Sequence, residues 1–417
     1  MASEWFQTTI GEQVTLQRGI DITRAEQRQG SVPVVSSGGV TSYHDTTAVK
    51  GPGVILGRKG VVGSVYYISE DFWPHDTTLW VRDFHGNNRR YVYYFFRAIA
   101  HRLSGLDVGS ANPTLNRNHV HPIRVLWPKP DVQNAIVEVL SSLDDKIALL
   151  RETNATLEAI AQAIFKSWFV DFDPVRARAE GREPEGMPPE IAELFPSELE
   201  DSELGKIPKG WRVVSVGEVA DIIKGKSYKS SELVESDVAL VTLKSFTRGG
   251  GFRTDGFKGY SGSYKPEQVI KPGDCVVAYT DVTQQAEVIG RAAMVLPSPE
   301  HKTLVASLDI GVVRPTFEHL TTAFLYFLLR GERYVSHIYG YTSGTTVLHL
   351  AKEGLPVYQF VLPPAVLLKK FEELAVPIMG KIGNNHLKTV ELSALRDALL
   401  PRLISGMLRV IADENMT

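Results

Sequence analysis

At 417 residues the chain is too long for one ordinary hydrophobic core and points to two or three domains. Its 43% hydrophobic and 22% charged residues suit a globular chain, no apolar run reaches the roughly 18 residues of a membrane span, and the single Cys275 excludes an internal disulfide or a cysteine-built zinc site. The net charge of −3 argues against a polyanionic partner until it is divided: residues 171–206 hold 11 acidic and 4 basic side chains, residues 1–130 hold 14 basic and 10 acidic, and residues 207–362 hold 17 and 15. Two mildly basic segments thus flank an acidic one, which permits a nucleic-acid partner.

In chain order, Met1 to Ile10 carries Glu4 and lacks the apolar stretch of a signal peptide, so a cytoplasmic protein is expected. Val54–Leu56, Val61–Ile68 and Thr77–Val81 read as strands, separated by Gly, Ser and Pro turns at Ser37-Gly38-Gly39 and Gly51-Pro52-Gly53. Arg90–Leu103 has the spacing of a helix. The run Trp127-Pro128-Lys129-Pro130 ends this mixed module, and Asp131 is the expected N-cap of a long helix. That helix carries a heptad stripe, Ile136, Leu140, Leu143, Ile147, Leu150, Asn154, Leu157, Ala161, Ile164 and Trp168, with Asn154 as a buried amide that fixes register. Six prolines and the excess acid of residues 173–208 then indicate a linker with a short helical piece.

The order then repeats about 235 residues later. Val238–Leu243, Asp274–Tyr279 and Ala292–Leu296 read as strands, Thr321–Arg330 as a helix, and Pro363-Pro364 closes the module. A second stripe follows through Phe371, Ala375, Ile378, Ile382, Asn385, Thr389, Leu392, Arg396, Leu399 and Leu403. Pro377 predicts a kink in this helix and Pro401 its end or a further bend. The expected fold is α+β: two pseudo-symmetric mixed α/β modules joined by two long antiparallel coiled-coil-like helices.

Signatures of catalysis are missing from this pattern. Asn112-Pro113-Thr114 and Asp173-Pro174-Val175 each fail the Asp/Asn-Pro-Pro-aromatic requirement of amino methylation, and no GxxxxGK[ST] loop follows a strand. His119 and His121 would face opposite sides of a strand, which disfavours joint metal binding. Asp144-Asp145 on the first helix reads as a solvated pair or an N-terminal dipole partner, and Asp274 with Asp281 lacks the following Glu-x-Lys of a nuclease. Gly249-Gly250-Gly251 reads as a turn.

Ser141–Pro174 (SSLDDKIALLRETNATLEAIAQAIFKSWFVDFDP), followed by Val175-Arg176-Ala177-Arg178, resembles the first central helix and exit of type I restriction-modification specificity subunits. Leu204–Trp211 (LGKIPKGW) resembles that family's entry to a second target recognition domain. Gly51–Tyr66 (GPGVILGRKGVVGSVY), Asp76-Thr77-Thr78 and Gly109–Leu115 (GSANPTL) in the first module, with Lys271–Asp274 and Thr342–Leu350 (TSGTTVLHL) in the second, extend the resemblance over nearly the whole chain. It implies target recognition domains at 1–130 and 211–362, central helices at 131–170 and 363–408, and an acidic Pro-rich linker at 171–210. It also implies a non-catalytic, cytoplasmic host-defence subunit that binds a bipartite double-stranded DNA target and docks two methyltransferase subunits and restriction subunits, with no membrane partner. S-adenosylmethionine, ATP and magnesium would belong to those partners and no cofactor or metal to this chain. A helix of about 36 residues spans roughly 54 Å, enough to hold two readers one DNA turn of about 34 to 36 Å apart. The competing classes are a stand-alone bipartite DNA-binding regulator, disfavoured by the lack of a helix-turn-helix or basic arm, and an enzyme with an unrecognised site.

The expected DNA-contacting residues are Ser36, Ser37, Tyr43, Arg58 and Lys59 in the first module, and Lys226, Tyr228, Lys244, Arg248, Thr283, Gln284 and Ser343 in the second. Arg and Lys suit phosphates and guanine, Gln suits adenine, and turn-borne side chains can enter a groove; the bland reading is solvated loops. Leu149, Ile160, Phe165 and Phe169 form an extra apolar edge beside the seam, expected to be covered by methyltransferase helices.

Overall fold

The computed structural model describes residues 4–105, 114–283 and 285–410. Gln284 and residues 109–113 of the GSANPTL run lie outside them. The chain divides into two compact units, one of residues 1–148 with 391–417, the other of residues 149–390. Each unit therefore contains one module and part of both long helices.

The first unit runs β1 (Trp5–Thr9), α1 (Ile10–Gln13), β2 (Thr15–Arg18), β3 (Val32–Ser36), β4 (Gly39–His44), β5 (Gly53–Gly57), β6 (Val65–Ile68), β7 (Trp73–Pro74), β8 (Thr78–Asp83), α2 (Arg89–Ser104), α3 (Arg117–Val120) and β9 (Arg124–Pro128) into the long helix α4 (Pro130–Phe169). A four-stranded sheet has the order β2-β8-β5-β6, a three-stranded one the order β4-β3-β7, and β1 pairs with β9. The strand expected over Val61–Ile68 is only its second half. Gly60 and Gly63 take φ of 77° and 81°, and the Gly63 N–H donates to the Gly57 carbonyl at 3.0 Å, so residues 58–64 turn back before β6 begins.

The second unit continues with α5 (Asp173–Ala179), α6 (Pro189–Ala192), β10 (Leu199–Ser202), β11 (Gly205–Pro208), β12 (Arg212–Ser215), α7 (Val216–Val219), β13 (Ala220–Lys224), β14 (Val238–Val241), β15 (Lys258–Gly259), β16 (Val269–Ile270) and β17 (Cys275–Ala278). It completes with β18 (Thr280–Asp281), β19 (Ala292–Met294), β20 (Thr303–Ala306), β21 (Ile310–Pro315), α8 (Thr322–Leu328), α9 (Glu332–Tyr339), β22 (Thr342–Ser343), β23 (Leu348–Leu350), β24 (Gln359–Leu362) and the long helix α10 (Ala365–Ile404).

The repeat is explicit in the strand order. The sheet β13-β21-β17-β19 reproduces β2-β8-β5-β6, and β12-β24 reproduces β1-β9. Capping boxes recur at the same place: Glu12 Oε2 accepts from the Thr9 N–H at 2.9 Å and Glu218 Oε2 from the Ser215 N–H at 2.6 Å. Gly19 and Gly225 leave their strands against backbone, and a Cβ on either would sit 2.0 Å from a carbonyl oxygen, of His75 and of Ser307.

The first unit's core gathers Tyr91, Phe95, Trp127, Ile136 and Leu140 with Leu400, Leu403 and Ile404. Gln133 is buried and ties the start of α4 to the module, donating to Asn87 Oδ1 at 2.7 Å, while Trp127 Nε1 donates to the same oxygen at 2.8 Å. The helix begins one residue before the expected cap, with Pro130 in its first turn and Asp131 as an acidic first-turn residue.

Both stripes lie on buried or half-buried faces. Ile136, Leu140, Ile147, Leu150, Ala161, Trp168, Phe371, Ala375, Ile382 and Leu403 are buried, while Leu143, Asn154, Leu157, Ile164, Ile378, Leu392 and Leu399 are half-buried. The second helix runs unbroken through Pro377 and ends three residues beyond Pro401, at Ile404. Pro377 is exposed, so the carbonyl it leaves unpaired can face water, and the buried Leu400, Leu403 and Ile404 hold the last turn.

Residues 171–210 are more ordered than a linker. They form α5, α6 and the β10–β11 hairpin, and Phe172, Val175, Phe195 and Ile207 join the second unit's core. Arg178 Nη1 donates to the Ala192 and Glu193 carbonyls at 3.0 and 3.1 Å, closing the segment on itself. Among the described residues, no helix is long and apolar enough to cross a membrane.

Candidate nucleic-acid interface

In the first unit, the Asp76-Thr77-Thr78 run holds the loop after β5. The Thr77 carbonyl accepts from the Arg58 and Lys59 N–H groups at 2.8 and 3.0 Å, and the Arg58 carbonyl accepts from the Leu115 N–H at 2.9 Å. Arg58 is half-buried, its Nη1 donating to the Asp76 carbonyl at 3.3 Å. It lines a depression of about 590 Å³ shared with Arg18, Arg82, Arg117, Asn116 and Asn118. Burial, then the neighbouring Arg18, hold the Arg58 guanidinium below its ordinary pKa.

Of the other expected contacts here, Lys59 is exposed, with Nζ 3.9 Å from Asp76, and Tyr43 is exposed on β4. Ser36 Oγ accepts from the Gly38 N–H at 3.2 Å and thus shapes the turn. Ser37 is buried, its carbonyl accepting from Ser64 Oγ at 2.7 Å and the Tyr66 hydroxyl at 3.1 Å. That corrects its reading as a contact: its groups serve the turn.

In the second unit, Lys244, Arg248 and Thr283 meet with Arg253 and Asp255 around a depression of about 460 Å³. Its cations are largely compensated: Arg248 lies 3.3 Å from Glu287 and Arg253 forms a two-pronged pair with Asp255. The buried Asp281 organises the loop rather than serving a nuclease. Burial raises its pKa, but N–H donors from Thr283 and Val288 at 2.6 Å and Ile289 at 2.9 Å hold the carboxyl below its usual range. Lys226 is half-buried with its backbone bonded to Ala306 and Leu308, Tyr228 lies under Lys258 at 5.7 Å, and Ser343 is exposed on β22. These three do not line the depression.

The two modules differ at the position of Arg58. Tyr279 takes the same backbone bonds, its N–H to the Asp309 carbonyl at 2.8 Å and its carbonyl from the Leu350 N–H at 2.9 Å. A neutral ring thus stands where the first module has a cation, its hydroxyl pushed up to about 12 by burial.

Sequence reading missed Arg18, Arg82, Arg117 and Arg253. The available signal was position: Arg18 ends a strand just before a required glycine, and Arg117 lies two residues beyond the GSANPTL run. His119 lies on the one-turn α3 rather than a strand, and His121 Nε2 accepts from the Leu16 N–H at 3.0 Å. Asp21, His75 and Asp76 bring ligand atoms within 4.8 Å of one another, but Asp76 already pairs with Arg18 at 2.9 Å.

The apolar edge divides. Leu149 and Ile160 are 53% and 46% exposed. Phe165 and Phe169 are buried, stacking on Phe324 at 5.0 and 5.2 Å and on Phe371 at 5.5 and 5.4 Å, so they belong to the internal core and cannot meet a partner. Asp144 is likewise no solvated residue: it accepts from Arg396 at 2.7 Å and from the Tyr94 hydroxyl at 2.7 Å.

Residues 3–159 match the family model described as the type I restriction modification DNA specificity domain. The type I restriction enzyme MjaIX specificity subunit of Methanocaldococcus jannaschii is 28% identical over 331 residues, 77% of this chain and 69% of that protein. The HindI specificity subunit of Haemophilus influenzae is 27% identical over 355 residues, 75% and 74% of the two chains. The crystal structure of a type I restriction-modification S subunit from M. genitalium shares the fold, with a TM-score of 0.56 at 14% identity over 96% of each chain. The repeated sheets and these matches make the chain similar to type I restriction-modification specificity subunits.

Proposed function

We propose that the chain is the DNA-recognition subunit of a type I restriction-modification assembly, acting in the cytoplasm in host defence. Each module binds one half of a bipartite double-stranded target, and the long helices dock methyltransferase and restriction subunits. The observation that carries this reading is the repeated sheet, β2-β8-β5-β6 and β13-β21-β17-β19, with a cation-lined depression beside the loop that follows β5 in one module and β17 in the other. A protein with two like readers suits a target with two half-sites. Exposed Leu149 and Ile160 are the part of the apolar edge open to a partner. S-adenosylmethionine, ATP and magnesium are bound by the partners, and this chain performs no chemistry of its own.

Reconstitution tests the reading. The purified chain with S-adenosylmethionine and DNA should transfer no methyl group, and adding methyltransferase subunits should produce methylation at a two-part site. Methylation by the chain alone would make it an enzyme. DNA binding without any association with methyltransferase subunits would make it a stand-alone regulator.

A further inference from the structure

We infer that the arginine depression of the first module clamps a backbone phosphate of the DNA and does not read a base edge. The inference rests on the DNA-recognition reading above and assigns one chemistry to one place within it.

Arg18, Arg58, Arg82 and Arg117 reach the depression from four separate segments: the end of β2, the loop after β5, β8 and α3. Arg18 pairs with Asp76. Among the described residues, no carboxylate lies within ion-pair distance of the other three. A concavity holding four guanidiniums against one carboxylate has surplus positive charge and surplus N–H donors. A phosphodiester presents two anionic oxygens that accept from several guanidiniums at once. A guanine edge presents two acceptors that one arginine fork already fills. Four arginines lining one concavity therefore suit the phosphate.

Two of the three amides at the rim, Gln17 and Asn116, argue the same way. Reading adenine requires an Asn or Gln to use its carbonyl and its amino group together. Asn116 Oδ1 is already taken by the Asn118 N–H at 3.0 Å, and Gln17 Oε1 by Arg82 Nη1 at 3.4 Å. The site is also held in advance of any ligand, because the Arg58 backbone is bonded on both sides, to Thr77 and Leu115. The low Arg58 pKa fits an arginine crowded by burial and a like charge, a state an incoming phosphate relieves.

Among the described residues, the second module's depression has no such arginine cluster: Tyr279 replaces Arg58 in the backbone frame, Arg248 and Arg253 are paired with Glu287 and Asp255, and Lys244 is the cation left without an ion pair. The first module thus supplies a sequence-independent anchor that the second lacks.

The test uses the full-length chain and two duplexes of equal length, one carrying the target identified by methylation mapping and one without it, with binding measured across a series of KCl concentrations. Arg82 and Arg117 are exposed, so Arg82→Ala and Arg117→Ala leave the core intact. Each should weaken binding to both duplexes by the same factor and lower the slope of log K against log salt by about 1, leaving the ratio between duplexes unchanged. Arg117→Lys should keep most of the slope. A loss confined to the target duplex would make these arginines base readers, and unchanged binding to both would place the depression outside the interface; either overturns the clamp. If the wild-type chain itself does not prefer the target duplex, the DNA-recognition reading fails, an outcome distinct from failure of the clamp alone.

Discussion

Asn385 Nδ2 donates to Asn154 Oδ1 at 2.9 Å across the two long helices, and Asn154 Nδ2 donates in turn to the Ile382 carbonyl at 3.1 Å. Asn385 is only 2% exposed. A slip of either helix would leave these amides unpaired among apolar neighbours, so they favour one register over its alternatives. Asn154→Leu should therefore lower the denaturant midpoint of the second unit by the equivalent of about 1–3 kcal/mol. Asn154→Leu with Asn385→Leu should regain much of that. A single variant as stable as wild type would show the amides to be ornamental.

A second cross-helix contact holds the first unit. Arg396 sits where the stripe wants an apolar group and is 13% exposed, paired with Asp144 at 2.7 Å; Arg97 reaches Asp397 at 3.1 Å beside it. Asp144→Ala leaves Arg396 only Asp397, at 2.8 Å, and takes the acceptor from the buried Tyr94 hydroxyl, so it should cost about 2 kcal/mol, whereas replacing Asp144 and Arg396 with leucine and Tyr94 with phenylalanine together should be close to neutral. Equal losses in the single and triple variants, measured by urea unfolding, would refute the coupling.

Phe165 and Leu149 lie on one helix and should respond in opposite ways. Phe165→Ala opens a cavity among Phe324, Phe327 and Phe371 and should destabilise the second unit by about 3–5 kcal/mol. Leu149→Ser with Ile160→Ser should leave the melting temperature unchanged and weaken co-purification with methyltransferase subunits. Unimpaired co-purification would remove that edge from the docking surface.

The same residues mark how far sequence alone could go. The long helices were legible because a seam repeats every three or four residues, and the duplication because its strands and turns recur in order. Phe165 and Phe169 were misplaced because periodicity separates a buried face from an exposed one but does not say whether a module or a partner covers a widened face. The 171–210 segment looked like a linker because prolines and acids dominate its composition, while Phe172, Val175, Phe195 and Ile207, which pin it to the core, are few. The arginine depression was mostly invisible, since Arg18, Arg58, Arg82 and Arg117 are brought together by strand pairing across about 100 residues of chain.

Two histidines predict a pH dependence. Burial, then Arg151, lowers the pKa of His386; burial, then Arg117 and His85, lowers that of His121. Both folded values lie below the unfolded value of 6.5, so the unfolded chain binds more protons between them. Stability should be full above about pH 6.5 and fall as pH drops through that value. Denaturant midpoints at pH 7.5 and 5.5 check this: His386→Asn and His121→Asn should each flatten the change, and a wild-type midpoint that rises on acidification would reverse the sign.

Methylation mapping tests the central claim most directly, using DNA from cells that express the chain with its methyltransferase subunits. Wild type should give one motif of two half-sites around a fixed spacer. Inserting four residues after Leu157 and four after Lys381 keeps Asn154, Ile382 and Asn385 on the same side of both insertions and lengthens each helix by about 6 Å, nearly two base-pair steps of about 3.4 Å. The folded variant should keep both half-sites and widen the spacer by about two base pairs. A contiguous wild-type motif, or an unchanged spacer in a folded and active insertion variant, would contradict recognition of two half-sites at a spacing set by helix length.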